Sequence, residues 1–254
     1  MNATYVLSQK GVEALARYVA PDTLFAFDLD GTLAPIVEDY SAATIEEPVR
    51  ITLKRLTKLA TVAVITGRSR QDAMTILALQ PQLLVGNHGA EWPDQEENLN
   101  CRHATICQKW HECLHSMLHQ EQGVEIEFKG ESVTLHYRKA ADAENALTRI
   151  YAAIEKLDPA PRIIGGKFVV NVLPMEAFTK GAALVAAMEM FGLKRAIFFG
   201  DDVTDEEVFR LQNVDVLGIH IGMDNQTAAP YYLKKQSELL GVLNSTVAVL
   251  ESHC

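Results

Sequence analysis

The 254-residue chain carries 23 Lys and Arg against 33 Asp and Glu, a formal net charge of −10, and this acidic balance disfavours the extended phosphate-backbone contact that nucleic-acid binders make with a basic face. Hydrophobic residues make up 48% and charged residues 22%, so the chain has enough apolar mass to bury a sizeable core, and no tract reads as disordered. Nothing approaches 18 consecutive apolar residues, and the four cysteines (Cys101, Cys107, Cys113, Cys254) are few and follow no secretory hydrophobic segment; the expectation is a cytoplasmic protein, monomeric or weakly oligomeric, with no membrane span and no disulfide framework.

Along the chain, Ser8 to Tyr18 sets Val12, Leu15 and Ala16 at helical spacing. Leu24-Phe25-Ala26-Phe27 is a short apolar run that stops abruptly at Asp28, as a buried parallel strand does. Ile45 to Leu59 repeats Val49, Leu53, Leu56 and Leu59 at three- and four-residue intervals, the pattern of a crossover helix, and Val62-Ala63-Val64-Ile65 before Thr66 completes a β-α-β unit. After the polar stretch Trp92 to Asn100 a helix is predicted from about Ala104 to Gln120. Val124 to Tyr137 and Arg162 to Leu173 then alternate: Glu125, Glu127 and Lys129 stand against Ile126 and Phe128, and Phe168 and Val170 against Val169 and Asn171. These predict half-solvated antiparallel strands, with a helix over Asp142 to Lys156 between them and a turn at Gly165-Gly166. Lys180 opens an apolar helix (Ala182, Leu184, Val185, Met188), Ala196 to Phe199 is a third core strand ending at Gly200, Thr204 to Leu211 reads as helical, and Val214 to Leu217 as a further strand. The sum is an α/β fold: a doubly wound parallel-sheet core over residues 1–100 and 177–254, with an inserted α+β cap over residues 101–176.

Chemistry concentrates where the core strands end. In Asp28-Leu29-Asp30-Gly31-Thr32-Leu33 two aspartates two residues apart can project to one side at the carboxyl end of a strand, where open α/β sheets bind ligands. Two carboxylates there either hold a hard cation or divide nucleophile and acid/base roles. Thr66-Gly67-Arg68 brings a hydroxyl to the end of another strand, and Gly200-Asp201-Asp202-Val203-Thr204-Asp205-Glu206 gathers carboxylates that repel unless a cation or solvent compensates them. Lys180, in Thr179-Lys180-Gly181, reads by itself as a surface charge, and becomes a candidate phosphate clamp only in company with the other motifs.

In order as well as composition, these strings resemble the haloacid-dehalogenase superfamily of phosphatases, whose motifs run DxDGT, a strand-end Ser or Thr, a Lys, and GDDxxD. The resemblance implies a Rossmann-like core and a covalent mechanism: Asp28 attacks phosphorus, and Asp30 protonates the leaving oxygen and then activates water. It implies Mg²⁺ held by the Asp28 carboxylate, the Asp30 backbone carbonyl and Asp201, with Asp205 orienting the site and Thr66 and Lys180 on the phosphoryl oxygens.

Longer strings are similar to the trehalose-6-phosphate phosphatases within that superfamily: Phe27 to Ile36, Ile65 to Ser69, Gly86-Asn87-His88-Gly89-Ala90-Glu91, and Gly200 to Glu206. This likeness implies a small sugar-phosphate substrate, trehalose 6-phosphate, contacted by Thr66, Gly67, Arg68, Asn87, His88 and Lys180. Lys129-Gly130 followed by Leu135-His136-Tyr137-Arg138 is similar to the cap strand that grips the sugar, and implies Glu127, Lys129 and His136, with Arg138 beside them, as hydroxyl ligands. Where the family usually has Glu, this chain has Asn171, which donates and accepts but has no charge; a sucrose or glucosylglycerol phosphate is the alternative substrate. A phosphoacceptor signalling module also places an aspartate at a strand end, but needs neither a second acid two residues on nor a cap. The cluster Cys101, His103, Cys107, His111, Cys113, His115 and His119 offers metal ligands but no tight C-x₂₋₄-C pair, and is read as a solvated cap helix.

Overall fold

The computed structural model describes residues 3–37, 42–93, 97–166, 168–177 and 179–252, with the backbone alone for 97–101. Its strands are β1 (Thr4–Tyr5), β2 (Thr23–Phe27), β3 (Thr61–Ile65), β4 (Leu83–Val85), β5 (Glu125–Phe128), β6 (Val133–His136), β7 (Arg162–Gly166), β8 (Val169–Leu173), β9 (Arg195–Gly200), β10 (Asp215–Ile221) and β11 (Tyr231–Leu233). Its helices are α1 (Gln9–Tyr18), α2 (Glu47–Leu59), α3 (Arg70–Leu77), α4 (Glu97–Leu118), α5 (Ala143–Ile154), α6 (Lys180–Phe191), α7 (Glu206–Phe209) and α8 (Leu239–Glu251). Two compact units result, one of residues 1–93 and 178–254, the other Asp94–Ala177.

The larger unit is built on a seven-stranded sheet in the order β1-β11-β10-β9-β2-β3-β4, every neighbouring pair parallel. Its central strands are apolar on both faces because both faces are covered. Phe25, Phe27, Val62, Val64, Ile197 and Phe199 share one cluster with Leu53 and Leu56 of α2 and with Val242 and Leu243 of α8. The alternate residues Leu24, Ala26, Ala63, Ile65, Ala196 and Phe198 pack with Ala183, Leu184 and Ala187 of α6. The doubly wound α/β core expected from the short apolar runs is therefore present.

The smaller unit has an antiparallel sheet, β5-β6-β8-β7, with α4 and α5 packed on one face. Val133, Leu135, Val170 and Val172 join Cys107, Trp110, Leu114 and Ile150 in its core. Period-two alternation then puts Glu127, Thr134, His136 and Asn171 on the opposite face.

Several sequence readings move. Gly165 and Gly166 do not form a turn; they pair with Val170 and Val169 inside the β7–β8 hairpin, and the positive φ of 62° falls on Phe168 instead. Glycine weakens a strand without forbidding it, and here the pairing with β8 holds both residues extended. The helix α4 begins at Glu97 rather than about Ala104, and the Thr204–Leu211 helix is a 3₁₀ turn at Val203–Asp205 followed by one turn of α7. Among the readings of the His/Cys cluster, the side chain of Cys101 lies outside the described residues, Cys107 is buried in the α4–α5 core, and Cys113 is exposed. No described helix is long and apolar enough to cross a membrane.

Candidate active site

Strands β9, β2 and β3 are adjacent, so their carboxyl ends, and the residues that follow them, come together at one edge of the sheet. Asp28 continues from β2, its N–H donating to the carbonyl of Phe199 in β9 at 2.8 Å. Thr66 continues from β3, and Asp201 from β9. The ligand atoms of Asp28, Asp201 and Asp205 all lie within 4.8 Å of one another.

Lys180 enters this group from the first residue of α6, where the Thr179 hydroxyl caps the helix by accepting from the Ala182 N–H at 3.0 Å. Its ammonium stands 2.9 Å from Asp28 Oδ1 and 2.8 Å from Asp205 Oδ1, with all three side chains buried. Asp205 uses its other oxygen to accept the N–H groups of Asp201 and Asp202, both at 2.9 Å. It thus ties the turn that carries Asp201 to the lysine. Asp202 turns away and caps the 3₁₀ turn that follows, while Glu206 accepts the Ala228 N–H at 2.8 Å and so anchors the loop before β11.

Two glycines leave the space this packing requires. A Cβ on Gly31, whose φ is +80°, would lie 2.0 Å from Asp201 Oδ2, and one on Gly200 would lie 2.3 Å from the carboxyl carbon of Asp205. The Thr32 hydroxyl, not singled out in the sequence, reaches Asp201 Oδ1 at 3.3 Å. Its only signal was membership of the DxDGT string.

The electrostatics follow from crowding three carboxylates around one ammonium. Burial, partly countered by Lys180 and reinforced by Asp205, lifts the Asp28 carboxyl to about 7. Burial, then the neighbouring Asp28 and Asp205, lifts Asp201 to about 9. Burial works against the charge of Lys180, but Asp205 and Asp28 outweigh it and hold the ammonium protonated. One lysine does not balance three acids. An all-oxygen cluster with a deficit of positive charge fits a hard divalent cation.

Asp30 does not join the carboxylate cluster. Its two oxygens accept a fork from Arg68, Nε to Oδ2 and Nη2 to Oδ1, each at 2.6 Å. The sequence reading made Arg68 a substrate contact; the structure places its guanidinium on Asp30. Thr66 is buried and its hydroxyl accepts the Arg68 N–H at 3.2 Å. Gly67 permits close packing of this turn, since a Cβ there would meet the His88 ring at 2.4 Å. Asn87 and His88 occupy a 3₁₀ turn after β4, both with positive φ, and donate their N–H groups to the carbonyls of Arg68 and Thr66. Glu91 closes the turn by accepting from the Asn87 amide at 3.1 Å and from the Arg70 N–H at 2.8 Å.

In the smaller unit, Glu127 accepts from His136 at 2.9 Å, and the Lys129 ammonium lies 3.6 Å from the same oxygen. Burial opposes the charge of Glu127, yet His136 and Lys129 together hold its carboxyl below the usual range. Asn171 faces Thr134 across the ladder and accepts its hydroxyl at 2.8 Å. Glu127, Lys129 and His136 therefore form one charged group, and Asn171 lies on the same sheet face as Glu127 and His136, with Thr134 between it and Glu127 in the ladder. Arg138 is exposed and lies over the Phe168 ring, 5.8 Å from its centroid.

The chain is 34% identical over 196 residues to the trehalose-6-phosphate phosphatase of Escherichia coli, a match covering 74% of this chain and 72% of that one. It is 32% identical over 225 residues to a Mycobacterium tuberculosis protein described as an uncharacterized glycosyl hydrolase, covering 82% of this chain but spanning only 17% of that protein's length. The C-terminal domain of the C. albicans trehalose-6-phosphate phosphatase superposes with a TM-score of 0.76 at 22% identity, over 98% of this chain and 99% of that one, which is a likeness of fold. The trehalose-phosphatase family model matches residues 26–237, a span that contains the carboxylate cluster, Lys180, the Arg68–Asp30 pair and the whole smaller unit, and the chain belongs to that family of phosphomonoester hydrolases.

Proposed function

We propose that this protein hydrolyses trehalose 6-phosphate to trehalose and inorganic phosphate through an aspartyl-phosphate on Asp28, with Mg²⁺ as cofactor. The observation that carries the reading is the buried Asp28–Lys180–Asp205 triad beside Asp201. A carboxylate nucleophile needs a cation in contact to lie close to a phosphate dianion, and Lys180 provides one.

In the first step an oxygen of Asp28 bonds to phosphorus while the bond from phosphorus to the sugar oxygen breaks, and Asp30 gives that oxygen a proton. In the second, Asp30 takes a proton from water as the water oxygen bonds to phosphorus, and the bond to Asp28 breaks to release phosphate. Thr66 and Lys180 hold phosphoryl oxygens. Asp28, Asp201 and the Asp30 carbonyl would hold Mg²⁺, with Asp205 fixing the turn; the bound ion supplies charge neutralisation at the phosphoryl group. Glu127, Lys129 and His136 take sugar hydroxyls, and Asn171 offers a neutral amide where an acid is usual.

The substrate assignment is tested by phosphate release over a panel. Trehalose 6-phosphate is expected to exceed glucose 6-phosphate and sucrose 6-phosphate in kcat/KM by about 100-fold. Comparable values across the three would overturn it, and a preference for sucrose 6-phosphate would point to Asn171 as the cause.

Metal dependence has a stability signature. The Asp201 carboxyl stands at about 9 in the folded protein against 3.8 as the ordinary value. Folded protein therefore retains a proton that unfolded protein has released, and without metal its stability falls as pH rises across that interval. A bound cation removes the cause. Mg²⁺ is expected to raise Tm by several degrees near pH 8 and far less near pH 5, and Asp201→Asn to lose both the Mg²⁺ shift and much of the pH slope. Equal Mg²⁺ shifts in wild type and variant, read by thermal melts, would refute this.

A further inference from the structure

We propose that Arg68 is the positioning residue for Asp30, fixing the plane of its carboxyl group so that proton transfer to the leaving oxygen is aligned; this rests on the acid/base role proposed above for Asp30. The geometry is a planar fork: two nitrogens of one guanidinium each donate at 2.6 Å to a different oxygen of one carboxylate. Such a pair fixes orientation as well as distance, which a single hydrogen bond does not. Each Asp30 oxygen keeps a second lone pair that can carry the transferred proton, which the adjacent guanidinium charge makes easier to give up, and the Asp30 side chain is still 37% exposed while that of Arg68 is 13% exposed. The fork therefore orients Asp30 without enclosing it.

Arg68 is itself held in place. Its N–H donates to Thr66 Oγ1 at 3.2 Å and its carbonyl accepts the Asn87 N–H at 2.8 Å. The constraint on Asp30 thus originates in the turn after β3, packed against the turn after β4, rather than in Asp30's own strand. An ordinary exposed ion pair would contribute little to stability and nothing to chemistry. A phosphate ligand would act on the transferred group whatever the leaving group. The three roles predict different dependences on the leaving group.

A sugar alkoxide leaves only if it receives a proton, whereas p-nitrophenolate leaves without one. The experiment is release of the leaving group in single turnovers, with enzyme and Mg²⁺ in excess, for trehalose 6-phosphate and p-nitrophenyl phosphate. Arg68→Lys, which keeps the charge but not the fork, and Arg68→Met, which keeps the stem, are both compared with Asp30→Asn. Release of trehalose is expected to slow about 100-fold in all three, and release of nitrophenolate by no more than about five-fold. Equal losses on both substrates in the Arg68 variants, with a selective loss in Asp30→Asn, would overturn the positioning role and assign Arg68 to phosphate binding or to structure. No selective loss in Asp30→Asn would overturn the acid assignment, and the positioning role with it. Two Arg68 variants of different size keep the test open if one fails to fold.

Discussion

Asp28→Asn is expected to reduce phosphate release from trehalose 6-phosphate by about four orders of magnitude while the protein still folds. Removal of a covalent nucleophile commonly costs that much, because the remaining residues cannot substitute a different first step. The amide has nearly the volume of the acid, and its oxygen can still accept from the Lys180 ammonium 2.9 Å away. It also removes one negative charge from a cluster in which Asp201 and Asp205 lie within 4.8 Å. Tm measured without metal should therefore be unchanged or higher. Turnover within tenfold of wild type, measured by phosphate release at saturating substrate, would dismiss Asp28 as the nucleophile.

Lys180→Met should have a different signature, a loss of stability together with a loss of activity. Lys180 is 2% exposed and bridges Asp28 and Asp205. Replacing it with an apolar side chain leaves buried carboxylates uncompensated, a change that typically costs about 3–5 kcal/mol. For a domain of this size that corresponds to a fall in Tm on the order of 10 °C. Activity should fall by about three orders of magnitude, since charge developing on the phosphoryl group loses its nearest fixed cation. The double variant Lys180→Met with Asp205→Asn is expected to recover part of the stability and none of the activity, because the second change removes an acid the first left unpaired. A melting temperature within about 2 °C of wild type for the single variant would show that Lys180 does not carry the electrostatic load assigned to it.

The two expectations separate the jobs within one cluster. Asp28 is expected to tolerate loss of charge structurally because Asp205 still pairs with Lys180, whereas Lys180 is the one cation that both acids share. Asp205, with Lys180 on one oxygen and two backbone N–H groups on the other, joins the chemistry of the cluster to the local fold of the Gly200–Glu206 turn. Gly31 and Gly200 allow the carboxylates to approach where any side chain would collide with them.

The sequence alone determined the core strands that carry the site and the residue types at their ends. Leu24 to Phe27, Val62 to Ile65 and Ala196 to Phe199 were legible because a strand buried on both faces must be apolar at every position, and each run breaks at a polar residue. The long helix before the cap strands, apart from its first turns, and the alternation of the cap strands were also legible through their periodicity, whereas the turn of the second hairpin lies beyond the Gly165-Gly166 pair rather than on it. Strands β1, β4 and β11 and helices α3 and α8 are not legible there: the strands are two or three residues long, α3 has only eight residues, and α8 is apolar enough to hide its amphipathic face. Only the tertiary structure decided who partners whom. Lys180 and Asp28 are separated by 152 positions in sequence, and nothing local in Thr179-Lys180-Gly181 distinguishes a buried ammonium from a solvated one; the order β9-β2-β3 and the placement of α6 against that edge do so. Arg68 could likewise be read as a ligand for phosphate or for a carboxylate, because a guanidinium recognises both by the same fork. Its pairing with Asp30 depends on the distance between two turns, and that distance is a property of the folded sheet.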